Sequence, residues 1–245
     1  MSKIDISVIV NLHAEGMKAR SSFISIAHTK TYAEDRGLRV EVLAVLDRPS
    51  NETAEFVDNC DVVDFRRIEV SFGDLGRARN AGTAMTRGEW VSFLDADDLW
   101  GENWLAAAYE AGVNDPRPIV WHPLCLIYFG AQRLLFIHVD SEDADFDPLS
   151  LSMTNYWSSQ SFAKRDLYVS VPYPETDFER QLGYEDWGWN IETFSRGFIH
   201  KYVPNTVSAI RRQGDSLRHK TFAKKAMPKA SLLFRNLILK NAKRR

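Results

Sequence analysis

The sequence predicts an α/β domain built around a mostly parallel central sheet with helices on both faces. Three observations predict this class: short apolar runs rich in β-branched residues, helix-like segments between them, and no regular polar alternation within the runs. Continuous apolar strands are what a parallel sheet covered on both faces requires. With 245 residues, 44% of them hydrophobic, the chain is long enough to bury one substantial core.

Strands and helices mostly alternate in the prediction for the first half of the chain. The first helix segment, for example, places Phe23, Ile26 and Ala27 on one face. In order, we predict strand 6–10, helix 17–35, strand 40–46, strand 62–65, helix 75–86, strand 90–94 and helix 102–111. Beyond them, the runs 119–129 and 134–139 predict longer strands of a smaller, mixed region.

The domain organisation follows from the even composition of the chain. No internal repeat, low-complexity segment or Gly/Ser-rich linker interrupts the sequence. We therefore predict a single domain over residues 1–217, with halves of about 1–115 and 116–217. The remainder, 218–245, is predicted to be a helical, basic C-terminal tail.

Cysteine content and hydropathy bear on the location of the protein. Cys60 and Cys125 are the only cysteines and lack metal-ligand spacing, so we expect neither a disulfide framework nor a zinc site. The start of the chain lacks the features of a secretory leader, and no apolar stretch approaches the roughly 18 residues of a membrane span. We expect a cytoplasmic protein, with peripheral contact at the inner face of a membrane left open.

Charge is distributed unevenly along the chain. The formal net charge is −2, from 31 Lys and Arg against 33 Asp and Glu, but ten basic residues and no acidic residue follow Asp215. Removing those ten leaves 21 basic against 33 acidic residues before the tail. The acidic body argues against a nucleic-acid partner, whereas the basic tail favours an anionic partner such as a membrane surface.

Three carboxylates follow the predicted strand 90–94 directly, at Asp95, Asp97 and Asp98. The carboxyl ends of strands are where open α/β sheets bind ligands. Crowded carboxylates repel one another, and a hard divalent cation such as Mg²⁺ or Mn²⁺ compensates that repulsion. Taken alone, the cluster is equally compatible with a helix N-cap at Asp98.

Four segments in order resemble the glycosyltransferases of family 2, which have the GT-A fold. The segment Gly-Arg-Ala-Arg-Asn-Ala-Gly looks like the family's Gly-x-Ala-Arg-Asn-x-Gly, and Asp-Ala-Asp-Asp matches its metal-binding Asp-x-Asp motif. The resembling segments are 6–10, 40–47, 76–82 and 95–98. The resemblance extends over about 4–216 and implies a metal-dependent, inverting glycosyltransferase.

For the donor side, the resemblance implies a set of nucleotide-sugar ligands. Asp47 would contact the nucleobase, although Leu46 stands where the family usually has a first aspartate. Asp95 would reach the ribose or a metal-bound water, and Asp97 would ligate a Mn²⁺ or Mg²⁺ ion that bridges the diphosphate. Arg79 would present its planar guanidinium to phosphate, unless it lies on a solvated helix face.

For the acceptor side, the segment 183–189 looks like the family's Glu-Asp-Trp motif. The resemblance implies that Asp186 is the general base that takes the proton of the acceptor hydroxyl. Glu185 would orient the acceptor, and Trp187 or Trp189 would supply a flat surface for a sugar ring. The structural alternative is a helix start with acidic residues favoured by the macrodipole and tryptophans in the core.

A metal-ligating histidine of the family is displaced in this sequence. Gln213 stands where that histidine is expected, and His219 lies three residues beyond Ser216. Either His219 serves as a metal ligand from a shifted loop, or the ion has only Asp97, phosphates and water.

The tail has an apolar helical face beside several basic residues. This face consists of Ala230, Leu233, Phe234, Leu237 and Ile238. It is compatible with an anionic membrane, with packing back onto the domain, or with a partner subunit in an oligomer.

The sequence therefore predicts transfer of a sugar from a nucleoside-diphosphate sugar, with UDP favoured, to a glycan or lipid-linked saccharide in surface polysaccharide synthesis. One alternative is a nucleotidyltransferase, but residues 11–16 make a poor triphosphate loop. Another is a non-catalytic nucleotide- or sugar-binding module, which would have no need of a base at Asp186.

Overall fold

The fold is described by a computed structural model that covers residues 3–213 and 217–242. The strands are β1 (Ile6–Leu12), β2 (Val40–Asp47), β3 (Arg66–Val70), β4 (Trp90–Asp95), β5 (Leu99–Trp100), β6 (Ile119–Gly130), β7 (Leu134–Ile137), β8 (Phe162–Lys164) and β9 (Ile199–Arg212). The α-helices are α1 (Ala19–Glu34), α2 (Asn51–Asp58), α3 (Leu75–Met85), α4 (Trp104–Asn114), α5 (Arg165–Ser170), α6 (Glu185–Ser195), α7 (Leu217–Ala223) and α8 (Leu232–Ala242).

All these strands join one mixed sheet. Its order is β3-β2-β1-β4-β8-β6-β9-β5, and β7 pairs with β6. The strands β3, β2, β1 and β4 run parallel to one another, and β8 is antiparallel to both β4 and β6. The register sets Leu12 against Leu46 and Asn11 against Asp95, so the carboxyl ends of β2 and β4 lie on either side of β1.

Both faces of the parallel part are buried, as the continuous apolar strands predict. Val8 and Phe23 belong to the core cluster under α1 on one face, whereas Ile9 and Phe93 belong to a second cluster on the other. Phe23 has 0% exposure, and burial of such a side chain stabilises the fold by about 2 kcal/mol. The predicted α/β class is confirmed.

The third predicted strand is displaced from its predicted position. β3 begins at Arg66, whereas the apolar run 62–65 packs partly buried against the core under α1. Phe65 meets the Phe23 ring edge-to-face, with centroids 5.2 Å apart. β3 alternates between half-buried and exposed positions because it lies at the edge of the sheet, so it carries charged residues that the apolar search overlooks.

The second region adds to the same sheet. The predicted runs 119–129 and 134–139 correspond to β6 and to a shorter β7, which pair as antiparallel strands. β8, which the sequence did not signal, lies between β4 and β6 and joins the two regions. The sheet therefore continues across the predicted division near residue 115.

The tail packs back onto the domain through α8. Phe234 is buried, and Leu237 and Ile238 are partly buried, in a cluster that includes Leu151 and Ile191 of the body. Of the three partners left open by the sequence, the domain itself therefore covers most of the predicted apolar face. Across 3–213 and 217–242, no helix combines the length and apolarity needed to cross a membrane.

Candidate active site

The chain turns sharply at the carboxyl end of β4, where the aspartate motif lies. Asp98 donates its backbone N–H to the carbonyl of Asp95, at 3.0 Å. The buried carboxylate of Asp98 accepts hydrogen bonds from the backbone N–H of Arg211 at 2.8 Å and from Gln160 Nε2 at 3.1 Å. Asp98 is therefore an internal anchor between β4 and β9 and not a helix N-cap, since α4 begins only at Trp104.

Burial raises the pKa values of two aspartates in this motif. It raises the pKa of Asp98 well above its ordinary value, and the negative charges of Asp95 and Asp97 add to the effect. Burial likewise raises the pKa of Asp97, again with a contribution from Asp95. The aspartates thus repel one another in a partly dry site, as the sequence predicts.

A buried arginine joins the two acidic motifs. Arg79 Nη2 lies 2.8 Å from Asp95 Oδ1, and Arg79 Nη1 lies 2.7 Å from Glu185 Oε1. Burial disfavours the guanidinium cation, but these two carboxylates outweigh it and raise the pKa of Arg79. Arg79 lies 106 residues before Glu185 in the sequence, and the two acidic motifs meet at this one cation.

The position of Arg79 excludes a solvated helix face, because its side chain has 0% exposure. Its two terminal nitrogens are directed to carboxylates, and its contact with a donor phosphate stays a prediction. Its role is to hold Asp95 and Glu185, and a buried charge of this kind is tolerated only with such partners.

Asp47 holds a loop at the carboxyl end of β2. Its carboxylate accepts the backbone N–H groups of Phe72, Gly73 and Asp74 at 2.7, 2.9 and 3.0 Å. This loop leads into α3, whose N-cap is Asp74. The nucleobase contact of Asp47 stays a prediction, beside the structural role that these three bonds show.

Gln213 contacts the motif directly from the end of β9. Its Nε2 donates to Asp97 Oδ2 at 2.8 Å, while its Oε1 accepts from Lys18 Nζ at 2.7 Å. The residue that replaces the expected histidine thus lies beside Asp97. His219 is exposed on α7, and its metal role stays a prediction.

The arrangement fits a metal site that the substrate completes. Within 3–213 and 217–242, no three His, Cys, Asp or Glu side chains group closely enough to hold an ion on their own. Asp95 and Asp97 are half-buried and repel each other, which a divalent cation would relieve. Mg²⁺ is commonly held by one or two carboxylates plus substrate phosphates and water. These two aspartates therefore fit such an ion.

The second motif opens α6 after an unusual residue. Tyr184 has φ 54°, in the left-handed region, which for a residue other than glycine costs of order 1–2 kcal/mol. The turn directs the buried Glu185 to Arg79 and leaves Asp186 half-buried. Glu185 therefore acts on its surroundings through Arg79, and its predicted contact with the acceptor stays a prediction.

Asp186 has few hydrogen-bond donors. Its carboxylate accepts from the backbone N–H of Trp187 at 2.8 Å and from Asn155 Nδ2 at 3.3 Å. Burial, followed by the negative charge of Glu185, raises the pKa of Asp186 to about 7. A carboxylate in that range is well matched to general base catalysis near neutral pH.

The two predicted tryptophans differ in accessibility. Trp189 is 1% exposed, donates its indole N–H to the carbonyl of Val171 at 2.6 Å, and stacks on Tyr168 and Tyr173. The structure gives no support to the expectation that Trp189 supports a sugar ring, because its side chain is buried among core aromatics. Trp187 is half-buried, and its acceptor contact stays a prediction.

Sequence reasoning missed the loop 155–160, which contacts both motifs. Only its polar composition ahead of β8 could have drawn attention to it, since Ser158, Ser159 and Gln160 are unusual residues at the entry to a central strand. The bonds are Asn155 Nδ2 to Asp186 at 3.3 Å, Ser159 Oγ to Asp95 at 3.3 Å and Gln160 Nε2 to Asp98 at 3.1 Å. One loop thus fixes three carboxylates.

Buried histidines support this loop from behind. His138 Nδ1 donates to the carbonyl of Pro123, so its Nε2 is free to accept the N–H of Ser158 at 3.0 Å. Burial lowers the pKa of His138 to about 4 and that of His200 to about 3, so both are neutral near pH 7. They serve as hydrogen-bonding core residues.

The fold and this site define the class: a GT-A-type α/β domain with an acidic motif at the end of its fourth strand. Residues 7–125 match the family model described as glycosyl transferase family 2, so this part of the chain is similar to that family. The resemblance found in the sequence and the predicted GT-A fold are confirmed.

Relatives are similar over part of their lengths. Poly(ribitol-phosphate) β-N-acetylglucosaminyltransferase TarP of Staphylococcus aureus is 26% identical over 119 residues, which are 47% of this chain and 35% of TarP. The structure of S. aureus TarS 1–349 in complex with UDP-GlcNAc has a TM-score of 0.65 at 16% identity, covering 87% of this chain and 60% of TarS 1–349.

An archaeal structure is also similar. The mannosyltransferase PcManGT from Pyrobaculum calidifontis, in complex with GDP-Man and Mn²⁺, has a TM-score of 0.62 at 15% identity. It covers 99% of this chain, which in turn spans 70% of that protein. At these identities the structural matches establish the fold, and the chain spans about a third of TarP and three fifths of TarS 1–349.

Proposed function

We propose that this protein is a metal-dependent glycosyltransferase that moves a sugar from a nucleoside-diphosphate sugar to an acceptor hydroxyl with inversion. The observation that carries the proposal is the buried bridge from Asp95 through Arg79 to Glu185. It fixes the strand-end motif and the start of α6, which bears Asp186, in a single site. A binding module has no need of a weakly held carboxylate with a raised pKa next to that bridge.

The donor would bind at the strand-end motif, which contains Asp95 and Asp97. Asp95 and Asp97 would hold a Mn²⁺ or Mg²⁺ ion, which supplies positive charge to the diphosphate leaving group when bound. A UDP-sugar is favoured because TarS 1–349 binds UDP-GlcNAc and TarP is named as an N-acetylglucosaminyltransferase. GDP-sugars are the next class to test, because PcManGT binds GDP-Man.

The chemical step falls to Asp186. Its carboxylate takes the proton of the acceptor hydroxyl as that oxygen attacks the anomeric carbon from the face opposite the diphosphate. The carbon–oxygen bond to the diphosphate breaks, its electron pair leaves with the nucleotide, and the anomeric configuration inverts. Asn155 and Glu185, through Arg79, keep the carboxylate and α6 in place during this step.

The acceptor class proposed is a glycan or a lipid-linked saccharide of a surface polysaccharide. The support is the name of TarP, which places its action on poly(ribitol-phosphate). The half-buried Trp187 next to Asp186 is the candidate surface for an acceptor ring.

A thermal-shift panel tests the donor half of the proposal. The protein is melted with UDP, GDP, dTDP or CMP, each with Mn²⁺, Mg²⁺ or EDTA. At a hundredfold excess over Kd, a ligand that binds only the folded state adds about 2.7 kcal/mol. For a chain of this size that raises Tm by roughly 5–10 °C.

We expect one nucleoside diphosphate, UDP first, to raise Tm with Mn²⁺ and not with EDTA. Asp97→Asn should abolish the shift, and Asp186→Asn should retain it. No change in the Tm of the wild-type protein with any nucleotide and metal would contradict the proposal.

A further inference from the structure

The segment 219–240 exposes large apolar side chains that the packing of α8 does not use. While Phe234 is buried against the domain, Phe222 is 77% exposed and Leu232 is 75% exposed. The exposed set is Phe222, Met227, Leu232, Leu233 and Leu239. Scattered single apolar residues are ordinary on a surface, but five within 18 residues indicate a contact surface.

The same segment is uniformly basic. It contains no acidic residue, and its basic side chains are all exposed. These are Lys220, Lys224, Lys225, Lys229, Arg235 and Lys240. The body of the chain has more acidic than basic residues, so the excess of positive charge lies in the tail. We call the exposed apolar and basic residues of 219–240 the basic apolar surface.

This surface adjoins the acceptor side of the candidate site. Gly183 donates its backbone N–H to the carbonyl of Met227 at 2.9 Å, and Met227 donates to the carbonyl of Gln181 at 2.8 Å. Those bonds end three residues before Asp186. A partner that touches Met227 would therefore lie beside the start of α6.

We propose that the basic apolar surface docks on an anionic lipid bilayer and so presents the acceptor side of the site to the membrane. Apolar side chains enter the headgroup–acyl boundary, and lysines beside them pair with anionic headgroups. The lysines alternate along the segment with separate exposed apolar side chains, which suits a planar, fluid partner.

The other occupants fit less well. A second copy that presented the same surface would bring like charge against like charge, which is unfavourable. A nucleic acid would pair with the lysines but would leave Phe222 and Leu232 without an apolar contact. An anionic bilayer satisfies both the charge and the apolar area.

Vesicle co-sedimentation of the full chain tests the proposal. The vesicles are phosphatidylcholine alone or with about 30% phosphatidylglycerol, at about 0.1 M and 0.5 M salt. One variant combines Phe222→Ser with Leu232→Ser, and a second changes Lys220, Lys224, Lys225 and Lys229 to Gln. The matched control combines Leu134→Ser with Leu135→Ser, which are 57% and 62% exposed on β7.

We expect anionic vesicles to bind the wild type at least about tenfold more tightly than neutral vesicles, with the difference reduced at high salt. Each test variant should lose about tenfold in anionic-vesicle binding, and the control should bind as the wild type does. Equal binding of control and test variants, or no preference for anionic vesicles, would overturn the proposal. Sedimentation velocity could instead show that the wild type is a dimer and that only the variant with Phe222→Ser and Leu232→Ser is a monomer. That result would assign the surface to a second copy of the chain.

The role given to docking, presentation of the acceptor side to the membrane, rests on the proposed transferase function. Vesicle binding itself is measured without nucleotide. Asp186→Asn should bind vesicles as the wild type does. Failure of the nucleotide panel with intact vesicle binding would therefore remove the enzyme proposal alone. Failure of vesicle binding with an intact nucleotide response would remove the docking proposal alone.

Discussion

The strand-end motif, which has three aspartates, and the start of α6 both combine a buried, anchored acid with a half-buried acid that has few donors. Asp98 and Glu185 are buried and held by strong donors, whereas Asp97 and Asp186 are half-buried with few donors. The anchored acids position their elements, and the accessible acids remain for ligands. The two sites differ in that Asp97 lies in a cluster of aspartates suited to a cation, while Asp186 lies apart with a pKa suited to a base.

Removal of the accessible acid of α6 should have the largest effect on activity. Asp186→Asn keeps the shape and the bond from the Trp187 N–H but cannot accept a proton. We expect the rate of transfer to fall by about 10²–10⁴, the contribution of a positioned general base. Steady-state transfer assays measure the fall, and unchanged nucleotide binding serves as the control. A variant with near wild-type kcat would show that the two motifs do not divide the roles as described.

Removal of the bridge between the motifs should come next. Arg79→Leu leaves Asp95 and Glu185 without their buried counter-charge, which costs about 3–5 kcal/mol of unfolding free energy. The control is Arg77→Leu, because the Arg77 side chain is exposed: it pairs with Glu175 at 3.8 Å and lies 4.4 Å from the centroid of the Phe72 ring, contacts worth no more than about 1 kcal/mol each at a surface. Urea denaturation measures both. Equal losses would show that the buried bridge is not special.

The pH dependence should separate the two acids further. Because the pKa of Asp186 is raised to about 7, transfer should fall as the pH drops below about 7, tenfold per unit. Its charged neighbours in the site are Glu185, Arg79 and Asp95. Steady-state rates from pH 5 to 9 measure this limb, and a limb centred near pH 4 would contradict the assignment.

The same shift has a stability consequence of opposite sign. Between the ordinary and the raised pKa, the unfolded state has lost the Asp186 proton while the folded state keeps it. The contribution of this group to stability is therefore full at low pH and is lost as the pH rises toward 7. Asp186→Asn should flatten that part of the stability profile, which denaturation between pH 4 and 8 will show.

The smallest effect is expected from the loop that touches the accessible acid. Asn155→Leu removes the 3.3 Å bond to Asp186, and loss of a donor to a carboxylate raises its pKa. We expect the acid limb of the rate profile to move upward and kcat to fall by about tenfold or less. The exposed substitution Asn236→Ala is the control. An unmoved limb would assign Asn155 a purely structural role.

The parallel part of the fold and the two acidic motifs can be predicted from the sequence, because both depend on residues that are close together in the chain. Continuous apolar strands mark β1, β2 and β4, and the aspartates stand next to one another in the chain. The predicted strand 62–65 differs from β3 (Arg66–Val70), because an edge strand lacks that continuous apolar pattern. The order of the strands on either side of β8 depends on contacts between distant segments, which no local pattern records.

The same limit applies to the site residues. Trp189 reads like a sugar platform in sequence, but only its stacking on Tyr168 and Tyr173 shows that it belongs to the core. The sequence predicts a phosphate ligand at Arg79 because a local pattern cannot show its contact with Glu185, which lies 106 residues further along the chain. The loop 155–160 has no motif of its own, and its role arises from where the fold brings it.

The central claim is that one site combines a donor-binding motif at Asp97 with a base at Asp186. Titration calorimetry of UDP-GlcNAc with Mn²⁺ into the wild type, Asp97→Asn and Asp186→Asn tests it most directly. The account predicts that Asp97→Asn loses donor binding by at least about tenfold, while Asp186→Asn binds the donor like the wild type and fails to transfer. Wild-type donor binding by Asp97→Asn, or loss of donor binding by Asp186→Asn, would contradict it.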